Sequence, residues 1–211
     1  MPDSFRAILI SRDEDKNQSV AVETLTVDDL MDGDVVVDVE ASTVNYKDGL
    51  AITGKSPVVR HWPMIPGIDF AGTVENTGAG VTRFRPGDRV FGMSPRRYGA
   101  HAEFLCMPEG GEIAPIPGDL PFDQAVVCEG AWYANSTIRK LRPGQSVLIY
   151  GASGAIGTAA VQLAKARDVH VTAVVATRHV ELARGLGADR VIDFTAEDFT
   201  GGPERFDIVL D

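Results

Sequence analysis

Three glycines at regular spacing mark the place where this sequence is best equipped for chemistry. Gly151, Gly154 and Gly157 stand in the run LIYGASGAIGTAAVQLAK, residues 148–165, at G-x-x-G-x-x-G spacing. The more familiar G-x-G-x-x-G pattern needs glycine at 152, where this chain has Ala152. By itself such a cluster also suits a plain close-packed turn. Its setting favours more: an apolar strand-like run precedes it and a small-residue helical pattern follows. A glycine loop in that place aims the helix's free N–H groups and positive dipole end at a phosphate. Gly151, Ser153, Gly154, Ala155, Ile156 and Gly157 then form a cradle for the pyrophosphate of a dinucleotide. Gly154 admits close backbone approach, Ser153 adds a hydroxyl, and Gly157 lets helix pack on strand.

The next strand carries the choice of dinucleotide. A NAD site places Asp or Glu about 20 residues on, accepting from the ribose 2′-OH. Here Ala176 is followed by Thr177, Arg178 and His179, and the first carboxylate, Glu181, already lies inside the following helix. A 2′-phosphate calls for a cation and a hydroxyl donor, which Arg178 and Thr177 supply. NADPH is the expected cofactor.

Positioning these residues requires a particular order of elements. From SVLIYG onward the pattern reads strand, helix (AIGTAAVQLAKAR), strand (HVTAVVA), helix (RHVELARGLG), strand (DRVIDF) and strand (FDIVLD). Continuous apolar strands alternating with helices predict a doubly wound parallel sheet. Gly187 is placed to end its helix as a C′ residue. The region before about residue 120 reads differently. RAILIS, VAVETLTV, DVVVDVEAS, FAGTVEN, DRVFGM, HAEFLCM and IAPIP are short runs bounded by Gly, Pro, Asp or Asn, as in an antiparallel barrel or sandwich. FRPGD is a turn of type II character before RVFG. PFDQAVVCEGAWYANSTIRKL, between the two regions, reads as one helix. The fold class is therefore β followed by α/β, with a β-rich domain over 1–120 and a nucleotide-binding domain over 121–211.

Composition narrows the partners. The net charge of -10 argues against nucleic acid or anionic membrane, both of which need a basic surface. No apolar run reaches the roughly 20 residues of a membrane span, and the N-terminus lacks a secretory pattern. Cys106 and Cys128 form no CxxC pair, and the reading is two reduced thiols in a cytoplasmic protein. His61, His101, His170 and His179 have no metal-ligand spacing.

With both halves in view, the chain resembles the medium-chain dehydrogenase/reductase superfamily, which joins a GroES-like β-barrel to a Rossmann domain. STVNYKDGLAITGKSPVVRHWPMIPGIDFAGTVE, residues 42–75, is similar to the acrylyl-CoA reductase branch of the zinc-free, quinone-oxidoreductase-like enzymes. SPRRYGAHAEFLCMPE, VVCEGAWYA and YGASGAIGTAAVQLAK are more similar to another zinc-free reductase branch, as a chimera or a divergent natural sequence would be. The resemblance implies a GroES-like domain and a partial Rossmann domain. Zinc members carry a Cys ligand where this chain has Asn45-Tyr46, and Gly-His-Glu where it has Gly67-Ile68-Asp69, so no metal is expected. It further implies that Asn45 and Tyr46 sit beside the nicotinamide, with Tyr46 touching the cofactor. Chemically, Tyr46 could orient the ring or donate a proton. Lys47 and Asp48 read as a structural pair at a helix start. Lys55 and Arg60 lie in a loop that faces the cleft in relatives, where they could meet the phosphates of a CoA thioester; a plain solvated loop is the equal alternative. Trp62 and Tyr133 are further candidates for lining it, although core packing is the simpler role for each.

The implied activity is NADPH-dependent hydride transfer to an activated C=C or a quinone. Without a Lewis acid, the enolate or quinol oxygen is stabilised by hydrogen-bond donors. A non-catalytic fragment that at most binds NADPH weakly, and a carbonyl or alcohol oxidoreductase of the same fold, remain as alternatives. Family members run on well past the position of Asp211, so only strands 3, 2, 1 and 4 of the sheet are expected. FDIVLD would then present an unprotected edge, and self-association through 206–211, or a need for a complementary C-terminal segment, follows as an expectation.

Overall fold

Short β-prone runs and longer αβ alternation produce two compact units, one ending at Cys128 and the other covering Glu129–Asp211. The computed structural model describes residues 3–56, 59, 61–201 and 203–211.

In the first unit, β1 (Ser4–Arg12) and β2 (Gln18–Thr26) pair as an antiparallel ribbon, Ser4 opposite Thr26. β3 (Val35–Ser42), β4 (Asp69–Thr77), β5 (Arg89–Met93), β6 (Phe104–Met107) and β7 (Ile113–Pro115) form an antiparallel sheet in the order β6-β3-β4-β5-β7. Alternation decides which face is buried: Val35 and Val37 point inward and meet Phe70, Val74, Val90 and Leu105. The Pro-Gly turn before β5 forms as its sequence demands. Gly87 takes φ +92, and Asp88 N–H donates to the Arg85 carbonyl at 3.1 Å. Between β3 and β4 runs a short helix, α1 (Tyr46–Ile52).

The predicted single helix over PFDQAVVCEGAWYANSTIRKL is instead two: α2 (Phe122–Ala125) and α3 (Glu129–Ile138). The segment serves two cores. Phe122, Ala125 and Val126 pack with Ala71 and Ile116 of the first unit, whereas Ala134 and Ile138 enter the core of the second. A straight helix would have to face both ways, so the chain breaks at 126–128, where Cys128 N–H turns back to the Val126 carbonyl at 2.8 Å.

The second unit is a parallel sheet in the order β10-β9-β8-β11, built from β8 (Ser146–Tyr150), β9 (His170–Val175), β10 (Arg190–Asp193) and β11 (Ile208–Leu210). This matches the expected order 3-2-1-4. The connections β8-to-β9 and β9-to-β10 are made by α4 (Ala155–Lys165) and α5 (Val180–Gly185). Val171 to Val175 are all buried, which explains the unbroken apolar run of β9: both of its faces are covered. α3, α4 and α5 contribute Ala134, Ala160, Val161 and Ala183 to the core on one face. On the other, Phe199 and Phe206 from the connection between β10 and β11 pack on Leu148, Val174 and Ile192. Gly187 ends α5 at φ +95, with Ala188 N–H reaching back to the Ala183 carbonyl. β11 pairs with β8 and lies at the sheet's edge, with Val209 62% exposed.

One carboxylate ties α4 to the sheet. Asp189 accepts Lys165 Nζ at 2.8 Å and Val171 N–H at 2.7 Å. Burial pushes its carboxyl upward, but the Lys165 ammonium, the Val171 amide and His170 outweigh that and hold it below the usual carboxylate range. A depressed carboxyl stabilises the fold above its unfolded pKa and loses that contribution as pH falls through the folded one. Asp189→Asn is therefore expected to lower stability by a constant amount above about pH 5, with the gap to the parent closing below about pH 4. Denaturant unfolding across that range checks it; a gap independent of pH would contradict the assignment.

Candidate functional site

The glycine run forms the turn from β8 into α4, and its three glycines have three different jobs. Gly151 takes φ +69, and Gly154 N–H closes the turn on the Gly151 carbonyl at 2.9 Å. Gly157 is a steric necessity. A Cβ there would lie 2.3 Å from the Gly151 carbonyl oxygen and 2.6 Å from Ala152 Cα. Gly154 is not: a Cβ would meet nothing nearer than the Gly151 carbonyl oxygen at 3.4 Å. It occupies the N-cap position in extended conformation and supplies no side-chain cap. The N–H groups of the first turn of α4 have no intrahelical partners by construction, and the turn contains no acidic residue. Ser153 is half-buried beside them, while Ala155 and Ile156 are exposed. An uncapped, glycine-lined helix N-terminus fits an oxyanion such as a pyrophosphate.

β8 and β9 are parallel neighbours, so the loops after them share one edge of the sheet. Thr177, Arg178 and His179 form a single 3-10 turn beyond β9. Arg178 is exposed and donates Nε–H to His179 Nε2 at 3.0 Å. Thr177 Oγ1 lies 2.7 Å from Thr195 Oγ1, and the Thr195 hydroxyl donates to Asp193 Oδ1 at 2.6 Å. The Thr177 hydroxyl is thus part of a Thr177–Thr195–Asp193 cluster at the end of β10. Hydrogen bonds from Thr195 and Thr177 hold the Asp193 carboxyl low. No local pattern marks Asp193, because it ends not β9 but the neighbouring strand, opposite Val175.

The first unit places Asn45 and Tyr46 at the start of α1. Two buried carboxylates fix them. Asp48, fully buried, accepts Asn45 N–H at 2.7 Å and Gly67 N–H at 2.9 Å. Asp69, 2% exposed, accepts the Thr43 hydroxyl at 2.6 Å and Asn45 Nδ2 at 3.0 Å. Cys128 Sγ lies 3.6 Å from the other Asp69 oxygen. The carboxylate can only accept, so the Asn45 amide nitrogen must face it. The second Asn45 amide proton goes to Thr43 Oγ1 at 2.9 Å. Tyr46, on this fixed base, is 83% exposed and so stands clear of the sheet core. Asp48 and Asp69 owe their roles to tertiary partners that no local pattern announces.

Lys55 follows the end of α1 and is exposed; Arg60 lies outside the described residues. Trp62 is half-buried under the Arg12 guanidinium, and Tyr133 meets Trp132 edge-on at 5.0 Å between ring centres. Burial pushes the Cys106 thiol up, which suits an inert core cysteine. Among the described residues no three or more His, Cys, Asp or Glu side chains group as metal ligands would.

Residues 31–118, which contain the Asn45–Asp69 network, match the alcohol dehydrogenase GroES-like domain family. The chain as a whole is similar to members of the medium-chain dehydrogenase/reductase superfamily. It is 37% identical over 203 residues to a probable acrylyl-CoA reductase of Escherichia coli, covering 89% of this chain and 60% of that protein. It is also similar to the structure of an oxidoreductase from Salmonella enterica in complex with NADP, with TM-score 0.78, 31% identity, and coverage of 95% of this chain and 64% of the other. The fold is further matched by a quinone oxidoreductase from Coxiella burnetii, with TM-score 0.83, 24% identity, and coverage of 99% and 68%. The chain thus spans about 60% of the length of the curated relatives it matches. The resemblance read from the sequence holds, and so does the GroES-like plus Rossmann-type fold.

The steric roles of the glycines separate in a simple experiment. Gly157→Ala is expected to cost about 2–4 kcal/mol of stability, because the contact is with backbone that cannot step aside. Gly154→Ala should cost less than about 1 kcal/mol. Thermal unfolding of the two variants decides it, and equal losses would refute the assignment.

Proposed function

We propose that this chain carries the cofactor-binding half and the substrate-facing donors of an NADPH-dependent, zinc-free reductase acting on an activated C=C bond or a quinone. The observation that carries the reading is the uncapped N-terminus of α4, rising from its glycine turn with no acid in its first turn, together with Arg178 beyond the next strand. In this reading the first-turn N–H groups of 155–157 bind the pyrophosphate and Arg178 binds the 2′-phosphate. When bound, NADPH supplies the hydride.

Asn45 and Tyr46 are assigned to the substrate end. Asn45 is immobilised by the Asp48 and Asp69 carboxylates, so it orients without reorganisation. The exposed Tyr46 hydroxyl is the donor assigned to the developing enolate or quinol oxygen. The positions that hold ligands in zinc enzymes carry Asn45 and Ile68, which leaves oxygen stabilisation to hydrogen-bond donors. Lys55 and Arg60 are assigned to the phosphates of a CoA thioester. Support comes from relatives named acrylyl-CoA reductase and trans-enoyl reductase.

The cofactor assignment is tested by titration. NADPH should bind more tightly than NADH, and Arg178→Ala should erase about 1–3 kcal/mol of that preference while leaving NADH binding unchanged. Equal affinity of the parent chain for the two cofactors would overturn it. Asp193, one strand away, is the acid that would then explain acceptance of an unphosphorylated ribose. Following NADPH oxidation with acrylyl-CoA, a simple quinone and a ketone separates the substrate classes. The ketone should be the poorest, and Tyr46→Phe should slow enone reduction about 100-fold if its hydroxyl donates the proton.

A further inference from the structure

The first unit holds a partly open cavity of about 710 Å3 that none of the candidate site residues above lines. Its volume falls within the roughly 300–1,000 Å3 of small-molecule sites. Leu25 from the ribbon, Leu30, Met64 and Phe104 give it apolar walls. Its ionisable lining groups are Asp29, His61, Arg96 and Arg97, and they are not equally available. Asp29 accepts both the backbone N–H and the hydroxyl of Thr26, at 2.8 and 2.9 Å. Those two hydrogen bonds hold its carboxyl below the usual range. Arg97 donates to the Asp32 carbonyl. Arg96 is exposed and makes no hydrogen bond or ion pair with any described residue.

The backbone that presents Arg96 is unusual. Arg97 and Tyr98 N–H both donate to the Ser94 carbonyl, and Gly99 N–H donates to the Ile65 carbonyl at 3.0 Å. Within this turn Tyr98, buried in the cavity lining, adopts φ +61. An aromatic residue in the left-handed region is a strained choice, and such strain clusters at binding sites. The turn keeps Tyr98 inward and Arg96 outward. In a chain of net charge -10, an exposed guanidinium with no partner among the described residues, beside an apolar cavity, selects one kind of ligand.

We propose that this cavity binds a single-headed anionic amphiphile, an aliphatic carboxylate whose chain lies among Leu25, Leu30, Met64 and Phe104 and whose headgroup meets Arg96. The site stands apart from the reductase reading, so either can fail alone.

Isothermal titration calorimetry of the 211-residue chain with decanoate, below its micelle concentration, tests it. Saturable binding of one decanoate per chain is expected. 1-Decanol should bind about tenfold more weakly, because it cannot form a charge-assisted contact, and Arg96→Glu should weaken decanoate by at least about tenfold. Leu30→Trp, which fills the cavity, should remove binding with the thermal unfolding transition retained. Arg96 is exposed, so Arg96→Glu keeps the test decisive even if Leu30→Trp fails to fold. The proposal is overturned by no saturable decanoate binding, by equal affinity for decanoate and decanol, by an unchanged Arg96→Glu, or by a folded Leu30→Trp that still binds.

Discussion

The second unit is organised by a single close approach. α4 comes so near the end of β8 that a Cβ at position 157 would sit 2.3 Å from the Gly151 carbonyl oxygen. No side chain fits there, and the consequence reaches well past one residue. Helix and strand meet backbone to backbone, Ala152 is sealed beneath them, and the first turn of α4 points its N–H groups away from the core. Because β9 lies parallel beside β8, the Thr177–Arg178 turn follows at the same edge. One steric limit therefore locates both the helix end to which the pyrophosphate is assigned and the cation to which the 2′-phosphate is assigned.

The first unit is governed by charge instead. Asp48 and Asp69 are carboxylates with almost no exposure, and buried charge is tolerated only when its lone pairs are filled. Their donors are the Asn45 and Gly67 backbone N–H groups, the Thr43 hydroxyl and the Asn45 side-chain amide. Asn45 is common to both. Removing either carboxylate would leave donors stranded, and the start of α1, with Tyr46 on it, would lose its footing. Rigidity at Asn45 and exposure at Tyr46 thus have one cause.

Features written in local chemistry were legible in the sequence. The buried run of β9, the turn at Gly87 and the helix end at Gly187 needed only patterning or positive φ, and all formed as expected. Gly157 was legible too, because close helix–strand packing has no other solution. Features that depend on distant partners were not. Nothing local in PFDQAVVCEGAWYANSTIRKL reveals that its ends belong to different cores, so the break between α2 and α3 was missed. Asp69 reads as part of a vanished ligand motif until Thr43 and Asn45 are brought to it. Asp193 and the Arg96 cavity likewise exist only once strands are paired and loops are folded.

The account rests on the N-terminus of α4 being a phosphate site and on Arg178 reading the ribose. Backbone amide shift mapping of the isotopically labelled chain with NADPH and with NADH addresses both at once. The account predicts that both cofactors move the amides of Gly154, Ala155, Ile156 and Gly157, and that NADPH alone moves those of Thr177 and Arg178. Shifts that avoid residues 154–157, or identical shifts at Thr177 and Arg178 with the two cofactors, would contradict it.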